Sequence, residues 1–174
     1  NGAGDADIKD DLYVAVFGGG YGGNIPGVGS SVYVMNLENG KILKEINIED
    51  VNGNGIANSI PATPVVITPD MVMNANYRGA LVYINDLEGK ITKINLTNMS
   101  DSRAQTGTSQ IISMYDSNTI FSAESTSENG RYMFHSLEAG IGKDSNNLWL
   151  FSGTGNYTNL NDIGLLTDKN KICL

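Results

Sequence analysis

Residues 32–48 read VYVMNLENGKILKEINI, and their pattern decides the fold class. Val32 and Val34, followed by Leu37, occupy the positions of a half-buried strand. Asn39-Gly40 then turns the chain, and Ile42, Leu43 and Ile46 resume the apolar positions. Two short apolar runs joined by Asn-Gly predict a β-hairpin whose two central turn residues both adopt positive φ. The unit returns at residues 82–96, VYINDLEGKITKINL, one residue shorter at its turn. Tyr33 corresponds to Tyr83, Gly40 to Gly89, Lys41 to Lys90, Ile42 to Ile91 and Lys44 to Lys93. A hairpin repeated after about fifty residues predicts an all-β, β-propeller-like array of antiparallel blades. With about 40–45 residues per blade, the chain spans roughly four, so a partial propeller is expected. Residues 1–174 are read as part of one such domain. Because the chain begins with Asn and ends in KICL, the expectation is a piece of a longer protein.

Composition narrows the function. The net charge of −8 argues against nucleic-acid binding, which requires clustered Lys and Arg to neutralise phosphates. A single cysteine, Cys173, excludes a disulfide framework within the chain, and one His with one Cys argues against zinc. No apolar run is long enough to span a bilayer, so no direct membrane insertion is expected.

Outside the two hairpins, strands are expected at residues 12–17, 60–68, 111–115, 119–123, 131–137 and 147–151. Asp116-Ser117-Asn118 is expected to form the turn between the third and fourth of these. Glycines fill residues 18–23, GGGYGG. No Lys-Ser/Thr follows them and no helix pattern takes over, so neither a P-loop nor a dinucleotide fingerprint is supported. They are expected to let backbones approach closely or to form a wide loop. Residues 147–157, NLWLFSGTGNY, echo LYVAVF-GGGY at residues 12–21, and Trp149 is expected in the core or between blades.

The segment leaving the first hairpin carries the candidate chemistry. Residues 50–58 read DVNGNGIAN, with side-chain oxygens at Asp50, Asn52 and Asn54, a backbone carbonyl at Ile56, and Asn58 closing the set. Hard Ca²⁺ takes six to eight oxygens, and glycines let a loop wrap round the ion. The loop is not an EF-hand, because its twelfth position is Pro61 rather than Glu. Without an ion the same residues make a Gly/Asn-rich turn. The acidic lead-in, with Asn1, Asp5 and Asp7, is a second oxygen-rich stretch whose plainer reading is a solvated terminus.

No catalytic constellation emerges, so a non-enzymatic role is expected. His135 is the sole histidine and Ser136 follows it, but neighbours on a strand point to opposite faces. Ser152 lies in S-G-T-G rather than in a nucleophile elbow. Glu124, Glu128 and Glu138 form no evident carboxylate pair.

Five stretches in order resemble the C-terminal β-propeller of the type IV pilus tip-associated adhesin and biogenesis factor family (PilC/PilY). They are FGGGYGGN at residues 17–24, VYVMNLENGKIL at 32–43, ATPVVIT at 62–68, LVYINDLEGKITKINL at 81–96 and LWLFSGTGNY at 148–157. The resemblance implies a secreted, surface-exposed bacterial protein, exported through the periplasm, that promotes pilus assembly and mediates adhesion. Its implied partners are minor pilins, a host or matrix surface, or the remainder of the same polypeptide. Some family members bind calcium in an acidic loop directly before the strand matching residues 81–84. Here that place, PDMVMNANYRG, keeps only Asp70, Asn74 and Asn76, so the calcium role is carried to the 50–58 loop instead. A second resemblance is to the A-x-D-x-x-T-G-K-x-x-W repeat of propellers that hold pyrroloquinoline quinone. Lys44 and Lys93 stand where that repeat has Trp, against its blade docking. A ligand-free structural propeller is the third reading.

Overall fold

The structure, a computed structural model, describes residues 13–23, 25–48, 56–67, 80–96, 116–143 and 147–157. Every regular element among them is a β-strand, and all the sheets are antiparallel. The first sheet joins β1 (Val14–Gly18), β2 (Ser31–Asn36) and β3 (Ile42–Asn47), in that order. The second joins β4 (Val65–Ile67), β5 (Leu81–Asn85), β6 (Lys90–Asn95) and β7 (Asp116–Ser122). The third pairs β8 (Glu138–Ile141) with β9 (Leu148–Phe151).

Both expected hairpins form, β2–β3 and β5–β6, but their turns differ from the expected two-residue type. Only the glycine takes positive φ in each, Gly40 at 70° and Gly89 at 74°. In the first, Asn36 N–H donates to Lys41 O and Gly40 N–H to Asn36 O, closing a four-residue loop. The Asn36 side-chain oxygen accepts from Glu38 N at 2.7 Å, so the turn is set by Asn36 rather than by Asn39-Gly40 alone. In the second, Gly89 N–H donates to Asp86 O and Asp86 N–H to Lys90 O. That is a three-residue loop, a tight turn followed by a left-handed glycine. Side-chain capping and one glycine replace the double positive-φ requirement.

The period-two pattern sorts side chains between two cores. Val32, Val34 and Ile46 face inward from the first sheet, with Val14 and Val16 beside them. They meet Val82, Ile84 and Ile94 on one face of the second sheet. Tyr83 and Ile91 project from the opposite face, where Val65, Ile67 and Leu81 join them against Met133, Leu137 and Leu150. The β5–β6 hairpin is therefore the middle layer, covered on both sides, while β7 at the edge of the same sheet leaves Ile120 and Phe121 exposed. Each fully buried Val or Ile stabilises the fold by roughly 1.5–3 kcal/mol through burial alone.

The outer layers end on apolar surface. Phe17, stacked on Tyr33 at 5.5 Å, and Ile42 lie on the outer face of the first sheet. Trp149 and Phe151 lie on the outer face of the third, and Trp149 is 54% exposed. Trp149 is thus not a core residue here, because Leu150 supplies the inward contact and its neighbours alternate outward.

Other expectations are corrected. Residues 116–118 continue β7 rather than turning, since Asp116, Ser117 and Asn118 pair with Asn95, Ile94 and Lys93. Residues 131–137 form no strand: Met133 and Leu137 pack inward while the segment's backbone serves other groups. Of the strand expected at 60–68, only Val65–Ile67 forms, and Ile60 makes an isolated bridge to Gly20. The expected strand at 111–115 lies outside the described residues. The expected close backbone approach does occur at Gly18, where an added Cβ would lie 2.7 Å from Ile60 O.

Residues 56–60, all buried, link the first two layers. Ile60 N–H donates to Gly29 O, and Leu87 N–H, in the second hairpin's turn, donates to Ser59 O. The second turn consequently lies at the end of the first sheet opposite that sheet's own turn. Successive blades of a regular propeller would present equivalent turns on one rim, and the three sheets form no closed ring among the described residues.

Candidate functional site

The two hairpin turns share a sequence but not an environment. Glu38 and Lys41 of the first are exposed, whereas Asp86, Glu88 and Lys90 of the second are 1%, 0% and 2% exposed. Segment 56–60 covers the second turn from one side. From the other, Ala123 N–H donates to Gly89 O, and Gly89 leaves room for Ser125 and the Arg131 carbonyl. Asn85 extends this junction: its amide nitrogen donates to Met133 O at 3.2 Å and to His135 O at 2.9 Å.

Within the turn, one ammonium serves two carboxylates. Lys90 Nζ pairs closely with Glu88 Oε2 and lies 3.5 Å from Asp86 Oδ2. Asp86 Oδ1 accepts from Lys90 N–H at 3.1 Å. Burial pushes the Asp86 carboxyl up to about 6, against the opposing pull of the Lys90 charge and of hydrogen bonds from Lys90 and from Glu88 N–H. Taking charges out of water is costly unless they are paired, which this turn achieves internally. A site so enclosed admits no substrate. Its chemistry is that of an ionic clasp fixing the second turn between layers.

The expected calcium residues are only partly placed. Asp50, Asn52 and Asn54 lie outside the described residues, as do Asp70, Asn74 and Asn76 and the acidic lead-in. Ile56 is buried. Asn58 is buried and spans two backbones, donating to Ile48 O at 2.5 Å and accepting from Gly27 N at 3.3 Å. In this role Asn58 ties the loop after β3 to the loop before β2. Among the described residues no three of His, Cys, Asp and Glu converge as a metal set.

Sequence reasoning missed a surface cluster of rings beyond the Gly18 end of β1. Phe134 lies 6.1 Å from Tyr21 and 6.1 Å from Tyr157, tilted by 48° and 47°. Tyr132 meets Phe134 edge-on at 6.4 Å, and His135 meets Tyr157 edge-on at 5.7 Å. A backbone bond from Gly155 N–H to Tyr132 O, 2.8 Å, holds two of the three contributing segments together. The available signal was the echo of GGGY and TGNY, which places Tyr21 and Tyr157 after matching glycines. Their meeting on either side of Phe134 is a tertiary fact with no local signature.

Comparison with protein-family models, curated proteins and solved structures gives no match, so every functional reading rests on the chain's own residues.

Proposed function

We propose that the chain is a non-enzymatic binding module of the pilus-associated adhesin and biogenesis type, an all-β stack of antiparallel sheets acting at the bacterial surface. The carrying observation is the layered stack: a repeated hairpin whose second copy is covered on both faces, between outer sheets that leave Phe17, Ile42, Trp149 and Phe151 exposed. Apolar surface at both ends of a stack suits continuation by further sheets or docking of a partner. The ionic clasp is sealed from solvent and serves rigidity. Calcium held by Asp50, Asn52, Asn54, the Ile56 carbonyl and Asn58 would brace the segment that enters residues 56–60, and so adjust how the first two layers meet.

Interferometry with immobilised minor pilins, with and without calcium, tests this reading. Saturable, calcium-dependent binding that Asp50→Ala removes supports it. A protein that binds no pilin and whose melting temperature ignores calcium refutes it.

A further inference from the structure

We infer that the ring cluster of Tyr21, Phe134 and Tyr157 is a binding site for neutral carbohydrate, recognised through the apolar C–H faces of pyranose rings. This deepens the reading of the chain as a binding module, on which it rests, by naming the chemistry of a partner.

Three features support it. First, the rings come from three separate segments yet meet at one place, with Phe134 half-buried as the base and Tyr21 and Tyr157 54% and 60% exposed. Tyrosines left this open forgo much of the free energy of burial, as is expected of residues that contact a partner. Second, the site is open on one side among the described residues. A Cβ added at Gly20, Gly23, Gly153 or Gly155 would meet nothing within 4 Å, whereas at Gly19 and Gly22 it would run into the backbone of Gly29 and Val28, so a ligand can approach the rings over the first four glycines.

Third, the charge is wrong for the obvious alternative. The chain carries −8 overall, yet segments 18–23, 131–137 and 152–157 contain no carboxylate. Their one permanent cation, Arg131, directs its guanidinium to Ala123 O at 3.2 Å. An aromatic site for a quaternary ammonium gains from nearby acids, and none lies on these segments. A sugar asks for a different combination: flat rings for its C–H face and scattered polar groups for its hydroxyls. Tyrosine hydroxyls, the exposed His135 imidazole and the glycine-rich backbone provide these.

The test titrates the full chain with neutral gluco-, manno- and N-acetylglucosamine oligosaccharides by saturation-transfer NMR and calorimetry, with tetramethylammonium as a separate probe. At least one oligosaccharide should bind. Tyr21→Ala and Tyr157→Ala should each weaken it by about five- to tenfold, the size expected of one aromatic contact. The Phe variants at both positions should keep most of the affinity, which separates ring loss from misfolding. Tyr13→Ala, at the opposite end of β1, should change nothing. Absence of binding to every sugar, binding indifferent to Tyr21→Ala and Tyr157→Ala, or binding of tetramethylammonium alone would each overturn the inference. A sugar-blind protein that still binds pilins in a calcium-dependent way would sink this inference and leave the module reading standing.

Discussion

Replacing Asp86 with Asn should remove a defined part of the pH dependence of stability. The Asp86 carboxyl moves from 3.8 to about 6 on folding, chiefly because burial disfavours its charge. A folded-state value above the unfolded one means that the native protein holds this proton more tightly. Its contribution is fully present below the unfolded value and is lost as pH rises through the folded one. A gap of about two units corresponds to about 3 kcal/mol. Between about pH 4.5 and about pH 7.5, linkage assigns about 2 kcal/mol of that loss. The Asn variant keeps the Oδ1 acceptor used by Lys90 N–H and stays neutral throughout. Any penalty from facing an amide toward Lys90 applies at both pH values and cancels in the slope. Urea unfolding of both proteins at the two pH values gives the comparison. Relative to wild type, Asp86→Asn should be about 2 kcal/mol better off at the higher pH than at the lower. Parallel pH profiles would refute the assignment of a buried, proton-retaining carboxyl to Asp86.

Two further contrasts follow from the packing. Gly40 and Gly89 have nearly the same φ, but a Cβ at Gly40 meets open space while one at Gly89 lies 2.5 Å from Ser125 Oγ and 2.8 Å from Arg131 O. Gly40→Ala should therefore cost about 1 kcal/mol from backbone strain, and Gly89→Ala distinctly more, measured by denaturant midpoint. Ile84→Ala, 1% exposed between the first two layers, should cost about 2–5 kcal/mol, whereas Trp149→Ala should cost far less; equal losses would contradict the layer assignment.

The sequence makes the hairpins legible because alternation and a glycine turn are local properties. Val32, Val34, Val82 and Ile84 could be assigned to inward positions without any tertiary knowledge. The exact turns were less legible, since Asn36 and Asp86 act through side-chain and backbone bonds that a search for Asn-Gly overlooks. The start of β7 departs from its local signal: Asp-Ser-Asn favours turns, yet pairing with β6 supplies ladder bonds that outweigh that preference. Nor could repetition reveal that the second turn lies at the far end of the first sheet. The same limit applies to the sites. Identical Glu and Lys positions in the two turns look alike in sequence, and only the cover from residues 56–60 and 123–131 makes one pair solvated and the other an ionic clasp. Tyr21 and Tyr157 stand in recognisable glycine contexts, but the residue they flank, Phe134, lies in a segment whose alternation suggested a strand.

Native-state amide hydrogen exchange tests the layered account most directly, because protection reports the free energy of exposing each strand. With β5 and β6 covered on both faces, their amides should be the last to exchange, outlasting those of β2 and β3 and far outlasting those of β8 and β9. Exchange of β5 and β6 as early as β8 and β9, or protection centred on the first sheet, would contradict a buried middle layer.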